Sequence, residues 1–142
     1  MTLVKKAAFA IAVLALAACG TMSSMMGGGK TSRVQLSGAE EVPPVSTSAK
    51  GEGSFTVGND GSVKGSVTTT GVQGTAAHLH QGAKGQNGPV ILPLTKNGDT
   101  YAAPDGAKLN EAQMSAYKAG NVYVNVHSAA NKGGEIRAQL QP

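Results

Sequence analysis

From Arg33 onward the sequence breaks into short runs that alternate apolar and polar residues, each closed by a glycine-bearing turn. Arg33-Val34-Gln35-Leu36 alternates, and so does Gly53-Ser54-Phe55-Thr56-Val57. Gly58-Asn59-Asp60-Gly61 then forms a hairpin signal before Ser62-Val63-Lys64-Gly65-Ser66-Val67-Thr68. A period of two places successive side chains on opposite faces of a strand, so each run predicts a strand with one buried face. Further strands are predicted over Thr75–His80, Val90–Leu94, Thr100–Ala102, Val122–His127 and Gly134–Leu140, with Pro93 confining its strand to an edge or a bulge. A helical signature falls only on Glu111–Lys118. Asn110 and Gln113 have capping-box spacing, Gly120 suits the position just past the end, and Met114 and Tyr117 share one side. Seven or eight short strands with one short helix in a connection predict an all-β fold, a Greek-key β-sandwich. Residues 32–142 suffice for one such domain and are too few for two.

The first 31 residues are of another kind. Lys5 and Lys6 precede an apolar, alanine-rich run from Ala7 to Ala18, which reads as a signal peptide over residues 1–18. Leu16-Ala17-Ala18-Cys19 resembles the lipobox of bacterial lipoproteins, which implies lipidation of Cys19 and a membrane anchor. Cys19 is the sole cysteine, so no intrachain disulfide can form. Gly20 in place of an aspartate after it implies sorting to the outer membrane of a Gram-negative envelope, facing the periplasm. Residues 19–31 read as a flexible tether, in which Met22, Met25 and Met26 offer soft thioethers to a cuprous ion. Losing residues 1–18 removes Lys5 and Lys6, which leaves ten basic against eight acidic side chains. The remaining cations are scattered singly and tryptophan is absent, so no nucleic-acid surface is expected.

The chain has three histidines. His78 and His80 flank Leu79 on one strand and therefore project from the same face. His127 ends the run Val122-Tyr123-Val124-Asn125-Val126-His127, on the face opposite the valines. All three thus lie on the non-apolar, outward sides of their strands. If the strands are neighbours, three imidazoles converge into a site suited to Cu(II), Zn or Ni, with Glu135 or water completing the shell. No carboxylate stands next to His78 or His80 in sequence to serve as a base, which disfavours hydrolytic zinc chemistry. The competing reading makes the histidines clasps, each donating a ring N–H to a backbone carbonyl of the loop from Gly82 to Gly88 or from Ser128 to Gly133. Glu135 and Arg137 alternate about Ile136 and read as an outward, surface pair. Glu40-Glu41-Val42-Pro43-Pro44 reads as a rigid crossing at a sheet edge. Ser46, Thr47 and Ser48 show no nucleophile elbow or neighbouring base.

Three blocks resemble the CHRD domain, a module named from chordin and also found singly in exported bacterial proteins. They are Leu36–Pro44, Ala77–Gly82 with Gly88–Val90, and Gly120–Ser128 with Gly133–Leu140. The resemblance runs in order from Ser32 to Leu140 and implies a fold, with no catalytic activity attached. A weaker resemblance, to copper-zinc superoxide dismutase, rests on the His-x-His strand and the late-strand histidine. It implies a copper site at His78, His80 and His127. No histidine is left for a zinc site or a metal bridge, so dismutase activity is not expected.

These readings predict a lipid-anchored cell-envelope protein that binds a metal ion, with copper first, for storage, buffering or transfer, and no enzyme. Another envelope protein is an expected partner. The alternative is a structural or adhesive module that engages protein or polysaccharide through its outer faces.

Overall fold

The computed structural model describes residues 28–142. The signal-peptide, lipidation and tether-methionine expectations on residues 1–27 lie outside them. The chain forms β1 (Lys30–Ser37), β2 (Lys50–Val57), β3 (Val63–Thr70), β4 (Gly74–Gln81), β5 (Val90–Pro93), β6 (Thr95–Asn97) and β7 (Thr100–Ala102). Helix α1 (Glu111–Lys118), β8 (Val122–Ser128) and β9 (Ile136–Gln139) follow. Nine strands thus replace the expected seven or eight. The extra one is β6, which includes Lys96 and Asn97 from the predicted turn. β1 starts at Lys30, so the last two residues of the predicted tether belong to the sheet.

Every pairing is antiparallel, in the order β5-β4-β8-β9-β1-β2-β3-β7-β6. The two ends of this order, β5 and β6, are separated by Leu94 alone. The Leu94 amide donates to the Ala77 carbonyl of β4, so one kinked segment supplies both ends and nearly closes the sheet. The result is sandwich-like. Val34, Leu36, Phe55, Val57, Val63 and Val67 from one side meet Leu79, Val124, Val126 and Ile136 from the other. The predicted alternation is realised directly, because these residues are the apolar members of their runs.

Helix α1 forms where expected, with both capping-box bonds present between Asn110 and Gln113. Gly120 adopts φ +78°, the left-handed conformation that ends the helix at low cost. Tyr117 is buried and Met114 packs partly against the core. Close approach dictates Gly74, where a Cβ would lie 2.0 Å from the Tyr101 hydroxyl.

The other face of β4, β8 and β9 positions the candidate site. Pairing of His78 with Asn125, His80 with Tyr123, and Asn125 with Arg137 lines these side chains across three adjacent strands. This face was expected to look outward. Instead, Tyr123, Asn125, Arg137 and His80 are buried, because the glycine-rich loop after β4 folds back over the sheet. The Arg137 guanidinium donates to the carbonyls of Ala83 and Gln86 and to Asn87 Oδ1. Glycine permits the close cover: a Cβ on Gly88 would meet the Gln81 carbonyl oxygen at 1.7 Å, and one on Gly82 would meet the Tyr123 ring at 2.9 Å.

Candidate metal centre

The register brings all three histidines together. One ring nitrogen from each lies within 4.8 Å of the others, and the cluster consists of imidazoles alone. His78 Nδ1 is 2.9 Å from His127 Nε2. The ring of His80 stands 5.6 Å from that of His78 and 5.9 Å from that of His127, centroid to centroid.

The hydrogen bonds at the back of two rings fix their tautomers. His80 Nδ1 is 2.9 Å from the Gly88 carbonyl oxygen, and His127 Nδ1 is 2.8 Å from that of Lys132. A carbonyl can only accept, so each Nδ1 carries the hydrogen and each neutral ring keeps a bare lone pair on Nε2. His127 Nε2 accepts from His78 Nδ1–H. His80 Nε2 is buried with no hydrogen-bond partner. Burying an acceptor without a partner costs on the order of 1–3 kcal/mol, and a metal ion among these nitrogens would supply the missing partner. The clasp and ligand readings therefore describe opposite edges of the same rings.

Burial lowers the pKa of His78 and of His80. For His78 the neighbouring His127 and His80 add to the effect. For His80, His127 and the Arg137 cation lower it further, against opposing hydrogen bonds. The shift favours the neutral ring, the form that binds a metal. Nitrogens bound at about 2 Å around one ion lie roughly 3–3.5 Å apart, so the cluster fits a single ion with small side-chain rotations.

Around the rings lies a buried polar layer. The Tyr123 ring stacks on His80 at 4.8 Å with an interplanar angle of 2°. Arg137 places its Cζ 3.4 Å from the centroid of the same ring. Since β4 and β9 flank β8 on opposite sides, Tyr123 stands between imidazole and guanidinium. The Gly88 amide donates to the Tyr123 hydroxyl at 3.1 Å, so one residue, through its N–H and its carbonyl, holds both Tyr123 and His80. Asn125 donates to the Gly133 carbonyl and adjoins both His80 and Glu41.

Two carboxylates depart from expectation. Glu135 was expected to pair with Arg137 at the surface or to complete the ligand shell. It precedes β9, so strand alternation does not extend to it, and both residues are buried. Its carboxylate accepts from Thr47 Oγ1 at 2.8 Å and from Ser128 Oγ, which hold its pKa below the usual range. Ser128 shares the core-facing side of β8 with Val124 and Val126, away from the histidines. Glu41, read as part of a rigid crossing, is 4% exposed. Burial raises its pKa from 4.5 to about 7, despite the opposing pull of Arg137 and Asn125. Its Oε1 has no hydrogen-bond partner. It lines a groove of about 530 Å³ between Val42–Ser46, Asn87 and the Asn131–Gly134 loop.

The model of the CHRD domain matches residues 32–140. The chain belongs to the CHRD family. No curated protein and no solved structure matches it. Within this CHRD domain the three histidines form a group that could hold a metal ion.

Sequence reasoning found the histidines and missed Arg137, Tyr123 and Glu41 as buried neighbours. The available signal was the glycine-rich stretch directly after the His-x-His strand, which has the length and freedom to fold back over it.

Proposed function

We propose that this CHRD domain is a non-catalytic copper-binding module. His78 Nδ1, His80 Nε2 and His127 Nε2 would hold the ion for storage, buffering or transfer. The observation that carries this reading is the pair of carbonyl clasps, which turn the Nε2 lone pairs of His80 and His127 toward the cluster. The lone pair of His127 accepts from His78 Nδ1–H, and the ion would replace that hydrogen as His78 takes its Nε2–H tautomer. Three neutral imidazoles without a carboxylate suit copper, and copper leads zinc in affinity at nitrogen sites. Glu135 is engaged elsewhere by Thr47 and Ser128, which supports binding over metal-assisted hydrolysis. The N-terminal sequence supports delivery of the domain to the bacterial envelope, tethered to the outer membrane through lipid on Cys19. Partners would then be the membrane, the ion and another envelope protein.

The same clasps favour one alternative, in which the histidines only hold the two loops and the domain is a structural or adhesive module. Titration with Cu(I) and Cu(II) separates the two. The full chain is used with Cys19→Ser, which removes a competing thiol, beside the same chain with all three histidines changed to alanine. One equivalent bound by the parent and lost in the variant supports the copper site. No tight binding by the parent, together with a lower melting temperature in the variant, supports the clasps.

A further inference from the structure

The polar layer carries more information than ligand identity. Arg137 is 1% exposed, and no carboxylate among the described residues lies within ion-pair distance of it. All the hydrogen-bond acceptors of its guanidinium are uncharged: the carbonyls of Ala83 and Gln86 and the side chains of Asn87 and Gln139. A full positive charge is therefore fixed beside Tyr123, one ring away from His80. The other charges facing this layer do not cancel it. Glu135 is bound on the core side of β8, while Lys84 and Glu40 pair with each other at 3.2 Å on the surface. Glu41 is the remaining acid, and burial works against its charge.

We infer that the three-histidine site of this domain is built to hold copper as Cu(I), with the buried Arg137 charge setting that preference and Glu41 opposing it. This rests on the reading of the site as a copper site. Three neutral imidazoles add no negative charge, so a bound ion meets Arg137 without a screening ligand. Repulsion between two cations in a poorly solvated layer grows with the charge of the ion, so Cu(II) is penalised more than Cu(I). Arg137 touches Tyr123 and not the cluster, so it acts on the ion through space and by positioning the stacked rings.

The test measures Cu(I) and Cu(II) affinities of the full chain with Cys19→Ser by competition with chelators, and checks the reduction potential directly. Arg137→Gln and Arg137→Lys both lose the guanidinium fork that grips the loop, yet only Arg137→Gln loses the charge. The Cu(I)-to-Cu(II) affinity ratio is expected to fall about tenfold in Arg137→Gln, equivalent to about 59 mV for one electron, and to stay within about threefold of the parent in Arg137→Lys. Equal shifts in both variants would overturn the inference in favour of a purely positional role. Glu41→Gln provides an independent arm that leaves Arg137 in place. At pH 8 it should raise the ratio severalfold, and an unchanged ratio would overturn the inference even if neither Arg137 variant folds. Absence of copper binding in the parent would instead defeat the copper reading beneath it.

Discussion

The two flanks of this sandwich use the same strand geometry for different ends. In β2 and β3 the apolar side chains enter the core while Glu52, Lys64, Thr68 and Thr70 face solvent. In β8 and β9 nearly every residue is buried, on both faces. One face supplies Val124, Val126 and Ile136 to the core, and the other supplies Tyr123, Asn125 and Arg137 to the covered polar layer. Burying polar groups on a face that could have been left in water costs stability unless each finds a partner. Four side-chain atoms of the described residues find none, and three of them, on His80, Asn125 and Glu41, belong to this layer. Both flanks build the core, and the second also holds the candidate metal site.

The comparison breaks most easily on the apolar side. Phe55 has no exposed surface, so Phe55→Ala should cost about 3–5 kcal/mol in chemical denaturation. Any copper stoichiometry of the folded fraction should be unchanged; a lost equivalent would show that the flanks are not separable. On the polar side, pH is the lever. The folded-state pKa of Glu41 lies at about 7, above its usual 4.5. The folded protein therefore favours the protonated acid, and stability should decline as pH rises from about 4.5 through 7. The full shift corresponds to a loss on the order of 3 kcal/mol. Glu41→Gln should remove that decline, measured as unfolding free energy of the metal-free protein from pH 5 to 8.

Metal addition sharpens the contrast further. Copper at about one hundred times its dissociation constant should stabilise the fold by about 2.7 kcal/mol. Hydrogen exchange should slow in the loops after β4 and β8 while the β2–β3 hairpin keeps its rates. The triple histidine variant should show neither effect. The smallest effect concerns the helix, outside both layers. Asn110→Ala removes the capping box and should cost about 1 kcal/mol with no change at the three-histidine site.

The strands and the helix were legible because their causes are local. Alternation, glycine turns and the Asn110–Gln113 cap operate within a few residues, and the helix bounds match the structure. The three histidines could be nominated from their faces. Their convergence depended on β4 lying beside β8 with His78 opposite Asn125, and a register between strands some forty-five residues apart is not written in either one. Arg137 was misread for a related reason. A period of two tells which residues share a face and is silent about whether a loop will cover it, so a polar face was assigned to solvent. Glu135 failed differently, because alternation was extended past the start of β9.

The segment that closes the sheet bears on how an ion would come and go. With β8 on one side, and β5, Pro89 and the Leu94 amide on the other, β4 has main-chain partners on both sides from Ala77 to Gln81. The stretch carrying His78 and His80 therefore has no free margin along which to peel or slide. Exchange of a bound ion would be governed by how often the clasps at Gly88 and Lys132 open, making the residence time of the metal a clock for loop motion.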